Sequence, residues 1–162
     1  MKMPSRFLLF LSASILCIAS SQITADSASK GLVAPEKRLS IAQSRYSGQW
    51  KGPDLTVTYR YSRDQGQMDL TGSVSFADSL RLGYSLLRDF RLSLIFLDEN
   101  GRVLGSNVLV TNRGSFDAIP FHVTLRQPSS AVSMTFRYQG EAIESGRSGT
   151  GGVTSFWYDP ID

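Results

Sequence analysis

Apolar side chains recur at every second position through most of this chain, and that period leaves few folds open. Leu55, Val57, Tyr59 and Tyr61 alternate with Thr56, Thr58 and Arg60, and Met68, Leu70, Gly72, Val74 and Phe76 alternate with Asp69, Thr71, Ser73 and Ser75. Successive side chains of a strand point to opposite faces, so this period marks strands with one face buried and one wet. Phe90, Leu92, Leu94 and Phe96 form another inward set, and Ile95 and Leu97 make the opposite face apolar too. That predicts a central strand covered on both sides near its end. Asp98-Glu99-Asn100-Gly101 is the clearest turn, because Asn and Gly tolerate the positive φ of tight hairpins. Arg102 to Val110 returns as a strand that bends at Gly105. Phe121, Val123 and Leu125, then Val132, Met134, Phe136 and Tyr138, then Val153 to Trp157 complete the series. Residues 78–89 fit either a helical turn (Leu80, Tyr84, Leu87) or a strand (Leu80, Leu82, Tyr84, Leu86).

About seven strands separated by turns, with no long helical pattern, predict an all-β fold: an antiparallel two-sheet sandwich of immunoglobulin-like type. A small closed barrel is the alternative. The Cys…Trp…Cys hallmark of antibody domains is absent, and one cysteine in the whole chain allows no internal disulfide.

The first residues read as an export signal. Lys2 and Arg6 precede an apolar run from Phe7 to Ala19, and polar Ser20-Ser21-Gln22 follows. That run of 13 residues falls short of the ~20 that span a bilayer. Cleavage is expected after Ala25, with Ala19 as the alternative. A lipid anchor on Cys17 fits poorly, since Leu16 stands where a small residue belongs. The expected organisation is therefore a signal peptide at 1–25, a flexible arm or linker at 26–44 and one sandwich domain at 45–162. The expected location is periplasmic or extracellular, with no stable membrane span after cleavage. Without the signal, 15 basic residues face 14 acidic ones, which is not the basic stripe of a nucleic-acid binder.

Leu94-Ile95-Phe96-Leu97-Asp98 followed by Glu99-Asn100-Gly101-Arg102-Val103-Leu104, within residues 70–125, resembles bacterial FxLYD-type domains. Leu94, Phe96 and Leu97 stand where that motif prefers Phe, Leu and Tyr. The resemblance implies an exported or envelope-associated immunoglobulin-like module in a bacterium and brings no catalytic residues.

Chemistry is sparse. His122, the only histidine, is expected to point outward from a strand, and without a second His most transition-metal sites lack ligands. Asp64 and Asp69, Asp98 and Glu99, and Glu141 and Glu144 are the carboxylate pairs close in sequence. A glycosidase needs two acids about 5–10 Å apart across a cleft. Asp98 to Gly101 departs from a calcium loop, which wants Gly sixth and Glu twelfth. Gly146 to Gly152 lacks the Lys of a phosphate-binding loop and reads as a flexible connection, where binding often sits. Arginine outnumbers lysine 13 to 4, and Arg60, Arg91, Arg126 and Arg137 would make a row able to grip carboxylate or phosphate if they shared one sheet.

These observations predict an exported, non-catalytic binding or accessory module of the bacterial envelope. No cofactor or metal is expected, and the partner is a protein or glycan. The expected contact surface combines Gly146 and Gly149 with the aromatics Trp50, Trp157 and Tyr158. The alternatives are a carboxylate-dependent glycan hydrolase and an assembly protein that pairs through an edge strand.

Overall fold

Among the described residues the alternating runs become nine strands in two packed antiparallel sheets. The computed structural model describes residues 31–144 and 152–162. One sheet has the order β2 (Arg45–Lys51), β3 (Leu55–Asp64), β4 (Gln67–Phe76), β7 (Ile119–Arg126). The other runs β1 (Leu39–Ser40), β8 (Ser133–Glu144), β5 (Tyr84–Leu97), β6 (Val103–Gly114), and β9 (Val153–Tyr158) also lies on β8. β1 pairs at Ser133 and Met134 and β9 between Tyr138 and Ile143, so the two share one edge. The layer architecture is the expected sandwich. The extra strands are the two-residue β1 and the polar β2, which carries little alternation.

The inward sets fill the space between the sheets. Leu55, Val57, Tyr59 and Tyr61 from β3 and Met68, Leu70, Val74 and Phe76 from β4 meet Phe90, Leu92, Leu94 and Phe96 from β5. Each such side chain contributes roughly 1.5–3 kcal/mol by leaving water. An aromatic cluster occupies one end: Phe90 stacks on Phe156 at 6.3 Å, and Phe76 meets Phe90 edge-on at 5.0 Å. The Phe156 ring lies directly over Gly140, where a Cβ would collide with it. The Tyr138 hydroxyl donates to Asp54 Oδ2 (2.6 Å) and accepts from the Asp54 N–H (3.1 Å), tying β8 to the β2–β3 turn.

The ambiguous stretch at 78–89 uses both readings in sequence. Asp78–Gly83 is a short helix, α1, and β5 begins at Tyr84. Register shifts against β8 leave Ser85 and Arg88 as extra residues, so Leu87 and Phe90 both point inward although they are three apart. Two bulges thus imitate a helical period. Val132, expected inward on β8, precedes the strand and is exposed. The edge strand β6 also carries bulges, at Leu104 and Leu109, which turn both side chains toward the core. Bulges of this kind twist an edge away from pairing with another chain.

Residues 31–44 correct the expectation of a flexible arm over that stretch. Leu32 bridges to Arg102 and Val33 to Ile161, a 3-10 turn spans Pro35–Lys37, and β1 joins the sheet. Val33 and Ile41 are wholly buried. The physical cause is the outward apolar face of β5: Ile95 and Leu97 are covered by Val33, Val103 and Ile161 in a second small core. Residues 1–30, and with them the expected signal peptide, lie outside the described residues.

The hairpin turn anchors this cover. Asp98 Oδ1 accepts from the N–H groups of Asn100 (2.9 Å) and Arg102 (2.8 Å). The Arg38 guanidinium donates to the carbonyls of Val33 (2.7 Å), Glu99 (3.3 Å) and Asn100 (2.9 Å). Gly101 has φ +83, and a Cβ there would strike Arg38. Gly101→Ala is expected to cost roughly 1–3 kcal/mol in urea denaturation. Gly105→Ala, with open space at its Cβ, is expected to stay within about 0.5 kcal/mol.

Burial raises the pKa of Tyr59 to about 12, with smaller contributions from Tyr46 and Tyr61. Burial, and then the hydrogen bond to Asp54, raise that of Tyr138 further. Above the ordinary tyrosine value of 10.0 the unfolded chain releases protons that the folded chain keeps. The tyrosines' contribution to stability is therefore complete below that pH and is lost progressively as pH rises from there through the raised folded values, about 12 for Tyr59. Denaturation at pH 8 and pH 11 should show this alkaline loss, and Tyr138→Phe should reduce it while lowering stability at pH 8 by about 1–2 kcal/mol.

Candidate binding face of the four-stranded sheet

The expected aromatic surface does not assemble. Trp50 lies on β2 opposite Val57 and points into the sandwich, 8% exposed, with its ring 5.4 Å from Phe136 and 5.3 Å from Tyr158. Tyr158 is half-buried and stacks on Tyr138 at 6.0 Å. On β9 the alternation sends Phe156 and Tyr158 inward and leaves Trp157 alone outside, 66% exposed on the five-stranded sheet. Gly146 and Gly149 lie outside the described residues. The arginine row also separates, with Arg60 and Arg126 on β3 and β7 and Arg91 and Arg137 on β5 and β8.

A different group of side chains converges on the outward face of the four-stranded sheet. Register places Ser47, Arg60, Thr71 and His122 in one row across β2, β3, β4 and β7, and Arg45, Ser62, Asp69 and Thr124 in the next. Each strand alternates, so burying Tyr61, Leu70 and Phe121 forces these residues outward. Much of this surface lines an open hollow of about 460 Å³. Arg45 and Arg60 are diagonal neighbours, a placement with a spacing of about 7–8 Å, somewhat less between Cβ atoms. Neither guanidinium is hydrogen-bonded or ion-paired to a described residue.

His122 Nε2 donates to Asp69 Oδ1 at 2.7 Å, and the Thr124 hydroxyl donates to the same oxygen at 3.4 Å. The second imidazole nitrogen has no hydroxyl hydrogen-bonded to it among the described residues, so the base–nucleophile contact of a serine hydrolase is not assembled. Asp64 stands opposite Gln67 and is therefore a diagonal neighbour of Asp69. These two acids line a smaller adjoining hollow of about 220 Å³. Of the remaining acids, Asp98 is engaged by its own turn, and Glu141 lies 3.6 Å from Arg88. Among the described residues no group of three His, Cys, Asp or Glu side chains is placed to hold a metal ion, and no helix is long and apolar enough to cross a membrane.

The sequence showed the outward positions of Arg60, Asp69, Thr71 and His122 through alternation. It did not show that β4 lies between β3 and β7, and that pairing alone brings Asp69 to His122. Arg45 and Ser47 were missed because β2 has weak alternation. No protein-family model matches this sequence, and no curated protein matches it significantly.

The two tryptophans should report their different sites. With Trp50→Phe, the remaining Trp157 should be strongly quenched by acrylamide. With Trp157→Phe, the remaining Trp50 should be protected until the protein unfolds. Trp50→Ala is expected to cost about 3–5 kcal/mol, and Trp157→Ala less than about 0.5 kcal/mol.

Proposed function

We propose that this protein is an exported, non-catalytic binding module of the bacterial envelope that receives its ligand on the outward face of the four-stranded sheet. The observation that carries this reading is the hollow with two guanidiniums, Arg45 and Arg60, that no described residue engages, set among the hydroxyls of Ser47, Ser62 and Thr71. A guanidinium offers paired donors in a fixed plane and suits carboxylate or phosphate groups. The signal-like N-terminus supports export, and the likeness of residues 94–104 to FxLYD-type domains supports a bacterial envelope. A hydrolase is the second reading, favoured by Asp64 and Asp69. Their diagonal placement implies a spacing of about 7–8 Å, somewhat less between Cβ atoms, from which the two side chains can reach the carboxyl separation of about 6.5–9.5 Å in inverting glycosidases.

Co-sedimentation of the purified mature protein with isolated bacterial envelope tests both. Binding should fall about 10–100-fold in Arg45→Ala/Arg60→Ala, given about 1.5–3 kcal/mol for a hydrogen bond to a charged group. No soluble fragments should appear. Undiminished co-sedimentation of the double variant contradicts the binding face. Fragment release that disappears in Asp64→Asn or Asp69→Asn establishes the hydrolase instead.

A further inference from the structure

We infer that the ligand of this face is an acidic polysaccharide, whose sugar carboxylates are held by Arg45 and Arg60 and whose ring hydroxyls meet the Ser and Thr side chains beside them; this rests on the binding-module reading. Charge selects the acid. Arg45 and Arg60 are exposed, diagonal on one sheet face, and unmatched by a described carboxylate. Long side chains at diagonal positions can reach one anion together.

The surroundings select the kind of anion. Asp69 and Asp64 share the same outward face as the two arginines. A polyanion charged at every unit, such as a nucleic acid, would need a continuous basic track and would meet these carboxylates instead. The outward positions of β3 and β4 here are Thr58, Arg60, Ser62, Asp69, Thr71 and Ser73. The two tyrosines that line the hollow, Tyr46 and Tyr61, belong to the opposite register and pack on each other at 6.0 Å, so they form no row on this face along which successive bases could stack. Apart from Arg60, the six outward positions offer none of the anchors that dominate protein–protein interfaces. A hydroxyl both donates and accepts, so a floor of Ser and Thr complements a ligand made of hydroxyls. The His122–Asp69 pair adds an acceptor at the far side of the same row, where a neutral part of the sugar chain can lie.

Isothermal titration of the mature protein with a hyaluronan oligosaccharide, which carries a carboxylate on every second sugar only, tests the inference. The comparison ligands are the same oligomer with its carboxylates reduced to alcohols, inorganic phosphate, and a single-stranded oligonucleotide. The acidic oligomer is expected to bind at least tenfold more tightly than its reduced form. Arg45→Ala and Arg60→Ala should each weaken it about tenfold, while Arg113→Ala, on the other sheet, should not. Thr71→Val should weaken binding with its salt dependence unchanged. Equal binding of acidic and reduced oligomers, preference for the oligonucleotide or phosphate, or no binding of the acidic oligomer overturns the ligand class. If envelope co-sedimentation still depends on Arg45 and Arg60, only the ligand class falls. If that dependence is absent too, the binding face falls with it.

Discussion

The two-sided burial of β5 governs the arrangement of the rest of the molecule. Phe90, Leu92, Leu94 and Phe96 commit one face to the space between the sheets, while Ile95 and Leu97 leave an apolar patch on the other. That patch can only be hidden by chain from outside the sheet. Val33 and Ile161 supply it, one from each end of the described chain, and Arg38 locks the first of these onto the β5–β6 turn. The cover occupies one end of the five-stranded sheet's outward face, while the four-stranded sheet keeps a polar outward face with no described segment packed on it. The site proposed for the ligand is therefore a consequence of which sheet had apolar residues on both sides.

Legibility in the sequence followed the same physics. Regular alternation with one wet face, as in β3, β4 and β8, revealed strands and most of their inward residues. The doubly apolar end of β5 correctly announced a cover. What it did not identify was the covering chain, because Val33 and Ile161 are isolated apolar residues whose partners lie far away in sequence. Bulges at Ser85 and Arg88 broke the period and made a strand resemble a helical turn. The aromatics misled for a related reason: residue type marks Trp50 and Tyr158 as versatile, but only the register of β2 with β3 and β9 with β8 decides which way they face.

The candidate face was legible only in pieces. Arg60, Asp69 and His122 were each readable as outward, and nothing in the linear order joins them. Their meeting depends on β7 returning to β4 after two strands spent in the opposite sheet. A surface of this kind, two guanidiniums over a hydroxyl floor, carries no contiguous motif.

Amide chemical-shift mapping of isotope-labelled protein spanning residues 26–162 during titration with the hyaluronan oligosaccharide tests the central claim most directly. Shifts confined to β2, β3, β4 and β7, strongest near Arg45, Arg60 and Thr71, are the predicted result. Shifts centred instead on Trp157 and the β8–β9 connection, or spread evenly over both sheets, would contradict a ligand site on the outward face of the four-stranded sheet.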